Sequence, residues 1–261
     1  MKTKGLLLVA FLMGMFFSVQ AADHVKGNGK LSSKKITIGD YNAIKINGVV
    51  DFYYEQSDAE PYLEVTIDEN LHPYVNIEIK DRELTVNFKG AKVDHFTKFI
   101  VKTNSKWLRE VKAAGNANFV VNSKLTGDEL IVKANSNCLV QLKQLVKLGK
   151  LDLNVSGSAN MVVDNIDVDM LECSINGSGT IKLTAGKAGE GKYGITTDGE
   201  IMAFGVAVPE LSCNIKGKGS AQVHATENLK ATVIGKGSIR YKGPTAVQQK
   251  VMLGGTVEEV K

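Results

Sequence analysis

Four copies of one short phrase constrain this chain more than any other feature. Residues 155–163 read VSGSANMVV, 175–183 read INGSGTIKL, 215–223 read IKGKGSAQV and 233–241 read VIGKGSIRY. With the first glycine of each phrase as a marker, Gly157, Gly177, Gly217 and Gly235 fall close to multiples of 20 residues apart, and Thr197 stands in the vacant beat. A repeat of that length, with a Gly-rich corner between β-branched runs, is one supersecondary unit that cannot bury its apolar face alone. Such units stack. The chain is therefore predicted to be an all-β solenoid, a parallel β-helix with about 20 residues per rung, and not a globule around one central core.

The beat can be followed from about Lys98 to the end, with markers at Gly115, Asn135, Gly157, Gly177, Thr197, Gly217, Gly235 and Leu253. Two residues before the marker stand Ala113, Lys133, Val155, Ile175, Ile195, Ile215, Val233 and Val251; four after it stand Phe119, Leu139, Met161, Ile181, Ile201, Ala221, Ile239 and Val257. These mostly apolar columns are expected to point inward. Between them, two after the marker, runs a stripe of small residues, among them Ala159, Gly179, Gly199, Gly219 and Gly237, which permits a tight bend or close backbone approach. The alternating positions are polar and face out. Residues 142–151 are read as the longer loop of a 22-residue rung.

Before Lys98 the sequence is strand-rich without the beat. Residues 44–54 read as a strand in which Asn47-Gly48 is a turn or a bulge, and Leu63, Val65 and Ile67 alternate in a second strand. Asp68 to Pro73 breaks it. Val75, Ile77 and Ile79, then Asp81-Arg82, then Leu84, Val86 and Phe88 have the pattern of a β-hairpin. An open solenoid end would expose unpaired strand edges and apolar side chains, so this hairpin is placed as an N-terminal cap. The expected division is a leader at 1–21, a β cap with first coils at 22–110, and rungs at 111–261 continuous with the cap as one domain.

The leader is read from Lys2 and Lys4, an apolar core over residues 6–17 and the small-residue site Val19-Gln20-Ala21. It implies export to the periplasm, the outer surface or the medium. No cysteine stands beside the cleavage site to take a lipid, and no other segment approaches the roughly 20 apolar residues of a membrane span. Loss of the two leader lysines takes the formal charge from +4 to +2, a balance that argues against a nucleic-acid binder. Cys173 and Cys213 occupy equivalent positions two rungs apart, about 9.6 Å at ordinary strand spacing and beyond disulfide reach. Cys138 falls on another part of the coil. Three free thiols acting as small packing residues are expected.

Gly27-Asn28-Gly29 after the leader, Ile46-Asn47-Gly48 before an alternating strand, Asp68-Glu69-Asn70-Leu71, the Gly-Ser and Gly-x-Gly rungs and the closing Gly243-Pro244 occur in an order that resembles the putative auto-transporter adhesin head GIN domain family. The resemblance covers nearly all of the chain beyond the leader. It implies a right-handed parallel β-helix with an N-terminal β cap, exported to the cell envelope and associated with adhesion. It carries over no catalytic residues. No segment resembles the C-terminal membrane barrel of an auto-transporter, so self-translocation is not expected.

Three residue sets could carry chemistry. Asp152 and Glu172 are neighbours in a column also holding Glu110, Leu130 and Lys192, and a carboxylate pair about 5 Å apart suits glycoside chemistry or a shared cation. The alternative is a solvated ladder in which Glu172 pairs with Lys192. Lys216, Lys218, Lys236, Arg240 and Lys242 make the C-terminal rungs basic and suited to an anionic glycan or another envelope surface component, or form an outer face that discourages edge pairing. Phe52, Tyr53, Tyr54, Tyr62, Tyr74 and Trp107 gather near the cap, where one alternating set is core and the other could stack on sugar rings. His24, His72, His95 and His224 lack ligand spacing, so neither metal nor cofactor is expected. Gly186 to Lys192, GKAGEGK, is read as a loop lacking the strand-to-helix context of a phosphate site. The sequence thus points to a non-enzymatic binding or structural module, with a polysaccharide lyase or hydrolase using Asp152 and Glu172 as the alternative.

Overall fold

The computed structural model describes residues 23–243 and 245–260. The expected leader and Pro244 of the closing Gly-Pro lie outside those residues. From Leu139 to Gly235 each rung is one long strand: Leu139–Gly157, Asn160–Gly177, Thr180–Thr197, Glu200–Gly217 and Ser220–Gly235. Each pairs in parallel with the next. The chain is a parallel β-solenoid of about 7 turns. Alternation along the strands sends Val155, Ile175, Ile195, Ile215 and Val233 into a continuous apolar interior. The GKAGEGK stretch is not a loop. It lies within Thr180–Thr197.

The corners sit where backbone φ turns positive, at Gly115, Ser136, Gly157, Gly177, Thr197, Gly217, Gly235 and Leu253. Ser136, rather than Asn135, is the marker of its rung, because Ser136 stacks on Gly157 and Ala134 on Ala113. The spacings become 21, 21, 20, 20, 20, 18 and 18. A one-residue slip exchanges the two faces of a strand, so the inward pair on this rung is Ala134 and Val140, both buried, and not Lys133 and Leu139. The same correction moves Cys138 into the small-residue stripe, fully buried, with its thiol donating to the Ala113 carbonyl at 3.4 Å. Residues 142–151 are strand and not loop: one extra residue is absorbed as a bulge between Leu142 and Leu145.

Thr197 occupies its corner as expected, although a β-branched residue is unfavourable at φ 88°. Its hydroxyl donates to the Gly177 carbonyl at 2.8 Å, a rung-to-rung bond that glycine could not make. Cys173, Tyr193 and Cys213 form one inward column, with the tyrosine ring between two free thiols. Burial pushes the Cys213 thiol up to about 12 and Cys173 higher still. The Tyr193 hydroxyl is buried without a hydrogen-bond partner among the described residues.

The segment without an apparent beat holds two rungs in disguise. Ala43–Gly48 and Asp51–Gln56 stack in parallel on Glu110–Gly115 and Asn118–Val121, with Gly48 opposite Gly115 and the Phe52 and Phe119 rings 5.6 Å apart. Asn47-Gly48 is therefore a rung corner. On its other side lie Glu83–Phe88 and Ile100–Ser105, joined through residues 89–99 in place of a two-residue corner. Spatial order departs from chain order. The chain builds the second rung first, turns back through Tyr62–Asp68, builds the outer rung and then resumes on the far side. The expected hairpin is present, Val75–Lys80 against Glu83–Phe88, with Asp81 and Arg82 both at positive φ in the turn.

The GNG and DENL motifs meet inside this cap. Asp68 is fully buried, and its carboxylate accepts from the Gly29 amide (2.7 Å), the Thr97 amide (2.7 Å) and the Thr97 hydroxyl (2.9 Å). Asn28 bonds Asn70 and Glu69, and Asn70 returns a bond to the Lys26 carbonyl. Gly27 is obligatory at this position because a Cβ there would stand 2.6 Å from the Asp68 carboxylate. Burial alone would raise the Asp68 carboxyl, but the bonds from Thr97 and Gly29 outweigh it and hold it below the usual carboxylate range.

Because that value is depressed in the fold, Asp68 stabilises the cap above the unfolded value of about 3.9 and loses this contribution as pH falls through the folded value. Asp68→Asn is expected to cost about 2 kcal/mol at pH 7, with the gap to the parent closing toward pH about 2, measured by urea midpoints across pH. The corner stripe gives a second prediction. A Cβ at Gly219 would stand 2.5 Å from Ile195 Cγ2 and 2.7 Å from the Gly199 carbonyl, whereas one at Gly194 meets nothing within 4 Å. Gly219→Ala is expected to destabilise by about 1–3 kcal/mol, and Gly194→Ala to leave the thermal midpoint unchanged or slightly raised.

Candidate functional site

Asp152 and Glu172 are register neighbours on adjoining rungs, as their shared column requires. Both are half-buried side chains on an uninterrupted strand face. Glu172 does not pair with Lys192. It takes Lys150 at 3.2 Å, while Lys192 turns to Glu190 at 3.2 Å on its own strand. The Asp152 carboxylate accepts from Asn154 Nδ2 at 2.8 Å, and burial, with the Glu172 charge beside it, raises its carboxyl above the ordinary range. The column member expected at Leu130 is Ile131. None of the concavities described below is lined by Asp152 or Glu172.

The five basic residues wrap a corner. Lys216 is the penultimate residue of the strand before it, Lys218 and Lys236 stand on successive corners, and Arg240 and Lys242 lie on the face beyond. Arg240 is opposite Glu258 and Lys242 opposite His224. The Lys242 ammonium is 5.7 Å from the Phe204 ring centre, and burial together with the Lys242 charge lowers the His224 imidazole. Among the described residues, every ion pair involves positions no later than Lys192, and none of the five basic residues has one. From residue 200 to 243 the chain carries six lysines and arginines against three glutamates, a net +3.

The aromatic set divides by alternation. Phe52 and Tyr54 are buried in the interior, Tyr53, Tyr62 and Tyr74 are half-buried, and Trp107 is 46% exposed. The Lys35 ammonium sits 3.9 Å from the Tyr62 ring centre.

Trp107 stands between two adjoining clefts near the cap. One, of about 490 Å³, is lined by Asn42, Arg82, Arg109, Asp128, Glu129 and Trp107 itself; the other, of about 230 Å³, shares Trp107 and Thr126 and adds Lys106 and Asp58. The walls are held by side chains bonded to the backbone. Ser105, fully buried, donates to the Trp107 carbonyl at 2.9 Å and is itself bonded to the Tyr54 hydroxyl. The Gln56 amide donates to the Lys106 carbonyl (2.8 Å) and the Thr126 carbonyl (2.9 Å), while its oxygen accepts from the Thr126 amide (2.7 Å). A single side chain thus ties together the segments on either side of the indole. Arg109 and Asn42 are joined by an amide-to-carbonyl bond of 2.7 Å, and Asn42 in turn to the Arg82 carbonyl at 3.0 Å. Sequence reasoning had Trp107 in an aromatic cluster but not this cleft, because its walls come from residues 42, 82, 107–109 and 126–129, which only the reordered rungs bring together.

A third concavity, of about 560 Å³, lies beside the hairpin and is filled with charge: Lys112 bridges Glu83 at 2.7 Å and Glu110 at 3.0 Å, and Glu110 also takes Lys133 at 2.8 Å. Among the described residues no group of three or more His, Cys, Asp or Glu could hold a metal ion. No helix among them is long and apolar enough to cross a membrane.

The comparisons with known proteins agree with this architecture. No curated protein matches the chain. The crystal structure of a protein described as a putative adhesin from Parabacteroides merdae is 77% identical, with a TM-score of 0.91, covering 92% of this chain and 100% of its own. A second such protein, from Parabacteroides distasonis, is 68% identical with a TM-score of 0.91, covering 91% and 100%. A third, also from Parabacteroides distasonis and described as a putative lipid binding protein, is 34% identical with a TM-score of 0.87, covering 92% and 100%. The family model described as "Putative auto-transporter adhesin, head GIN domain" matches residues 40–244, and the chain belongs to that family.

Proposed function

We propose that this protein is an exported, non-enzymatic recognition module of the cell envelope, and that its C-terminal basic corner binds an anionic glycan or a comparable acidic surface component. One observation carries this reading. The corner concentrates Lys216, Lys218, Lys236, Arg240 and Lys242 without ion-pair partners among the described residues, whereas Lys112, Lys133, Lys150, Lys187 and Lys192 of the earlier rungs are tied to carboxylates. Lysines held by internal carboxylates have less charge to offer a ligand, and unpaired ones on a rigid wall present theirs at fixed spacing. The leader sequence supports export, and the adhesin names of close relatives support a role at a surface.

The carboxylate ladder supports the non-enzymatic part. Asp152 and Glu172 are satisfied by Asn154 and Lys150 on a flat strand face, an arrangement expected of a structural ladder.

The binding reading is tested by chromatography of the mature protein on an immobilised sulfated glycan. The parent is expected to be retained and to elute with salt, and the Lys218→Glu/Lys236→Glu variant to elute at clearly lower ionic strength with an unchanged thermal midpoint. Elution of both proteins at the same salt would remove the basic corner as a binding surface.

A further inference from the structure

A second surface, independent of the basic corner, has the composition of a binding site for a different ligand. The cleft beside Trp107 combines this tryptophan, 46% exposed, with the polar side chains of Asn42, Arg82, Arg109, Asp128 and Glu129 in its lining. At about 490 Å³ it falls within the range of roughly 300–1,000 Å³ common to small-molecule sites. Its charges cancel: Arg82 and Arg109 stand against Asp128 and Glu129. Arg82 is partly engaged by Asp40 at 2.8 Å and Glu129 is 3.8 Å from Lys150, but the exposed Arg109 and Asp128 side chains have no ion-pair partner among the described residues. A guanidinium, a carboxylate and the Asn42 amide offer paired donors and acceptors suited to adjacent hydroxyl groups. An indole face accepts the C–H side of a pyranose ring, which is apolar while its rim is polar.

We propose that this cleft binds a neutral oligosaccharide, stacked on Trp107 and hydrogen-bonded by Arg109, Asp128 and Asn42. The inference rests on the reading of the protein as a recognition module but not on the basic corner. Charge favours a neutral ligand: the attraction of Arg82 and Arg109 for an anionic sugar is offset by the repulsion from Asp128 and Glu129. Rigidity favours the same conclusion. The Gln56 amide and the Ser105 hydroxyl fix the backbone around the indole before any ligand arrives, so little ordering is needed on binding. The second cleft shares Trp107 and Thr126, so a chain longer than one ring can continue across the indole. The Lys106 ammonium, 5.9 Å from the ring centre and paired with the exposed Asp58, is the group such a chain would displace.

Trp107 is the single tryptophan of the chain, so its emission reports this cleft and nothing else. The mature protein is titrated with hexasaccharides of cello-, manno-, xylo- and N-acetylchito- type and, separately, with oligogalacturonate. A saturable shift of tryptophan emission with at least one neutral hexasaccharide, together with protection from acrylamide quenching, is expected. By calorimetry Trp107→Ala is expected to weaken that binding about tenfold or more. Asp128→Ala, an exposed change that leaves the indole in place, is expected to weaken it measurably with an unchanged thermal midpoint. The Lys218→Glu/Lys236→Glu variant should bind the neutral sugar as the parent does, which separates this site from the basic corner. Silence with all four neutral sugars, a response to oligogalacturonate alone, or undiminished binding by both Trp107→Ala and Asp128→Ala would overturn the proposal.

Discussion

The structure depends on how closely one corner can sit upon the next. Parallel rungs hydrogen-bond at about 4.8 Å, and at each turn the backbone must reverse direction without leaving that spacing. The corner residue therefore enters positive φ, and the residue two further on must let the chain pass over the carbonyl and branched side chain beneath. A Cβ at Gly177 or Gly237 would collide with backbone of the rung below. Every other regularity follows from that repeated fit. The apolar columns stack because the corners hold register, and register is what keeps Val155, Ile175, Ile195 and Ile215 facing in.

A stack of identical rungs has ends, and the N-terminal end is built differently. There the chain departs from winding order, lays antiparallel strands along the outer edge and anchors them on Asp68, a buried carboxylate. The cost of burying that charge is met by its hydrogen bonds to Thr97 and Gly29. The same reordering shapes the clefts beside the cap. Where rungs follow one another regularly, as at Asp152 and Glu172, side chains from successive rungs lie side by side and Glu172 pairs with Lys150 along the wall. Where the chain doubles back, segments distant in sequence meet at angles and leave the cleft around Trp107.

Functional potential accordingly divides between two kinds of surface. The regular wall offers columns, of which the basic corner is the least compensated. The irregular cap offers a shaped, neutral cleft whose backbone is fixed by Gln56 and Ser105. A wall with uniform pitch suits a repetitive acidic partner, and a cleft with an exposed indole suits a sugar ring.

The sequence alone determined the solenoid, its period, the inward columns from Gly157 to Gly235 and the Asp81-Arg82 hairpin, because each depends on local spacing: a corner every rung, alternation of period two, a turn with positive φ; on the last rung Val251, expected inward, is 41% exposed. It also exposed the two motifs, around Gly27 and Asp68, without showing that they touch. The tertiary structure decided the rest. Ser136 replaced Asn135 as a corner because register is set by the neighbouring rungs and not by residue type. Residues 43–56 proved to be a rung because their partner strands lie at 83–105 and 110–121, a pairing no periodicity records when winding order is broken. Ion pairing followed side-chain reach, so Glu172 took Lys150 in place of Lys192. The Trp107 cleft required all of these long-range placements at once. Repetition is legible in a sequence because it is local; a site made where repetition fails is visible only after the chain has folded.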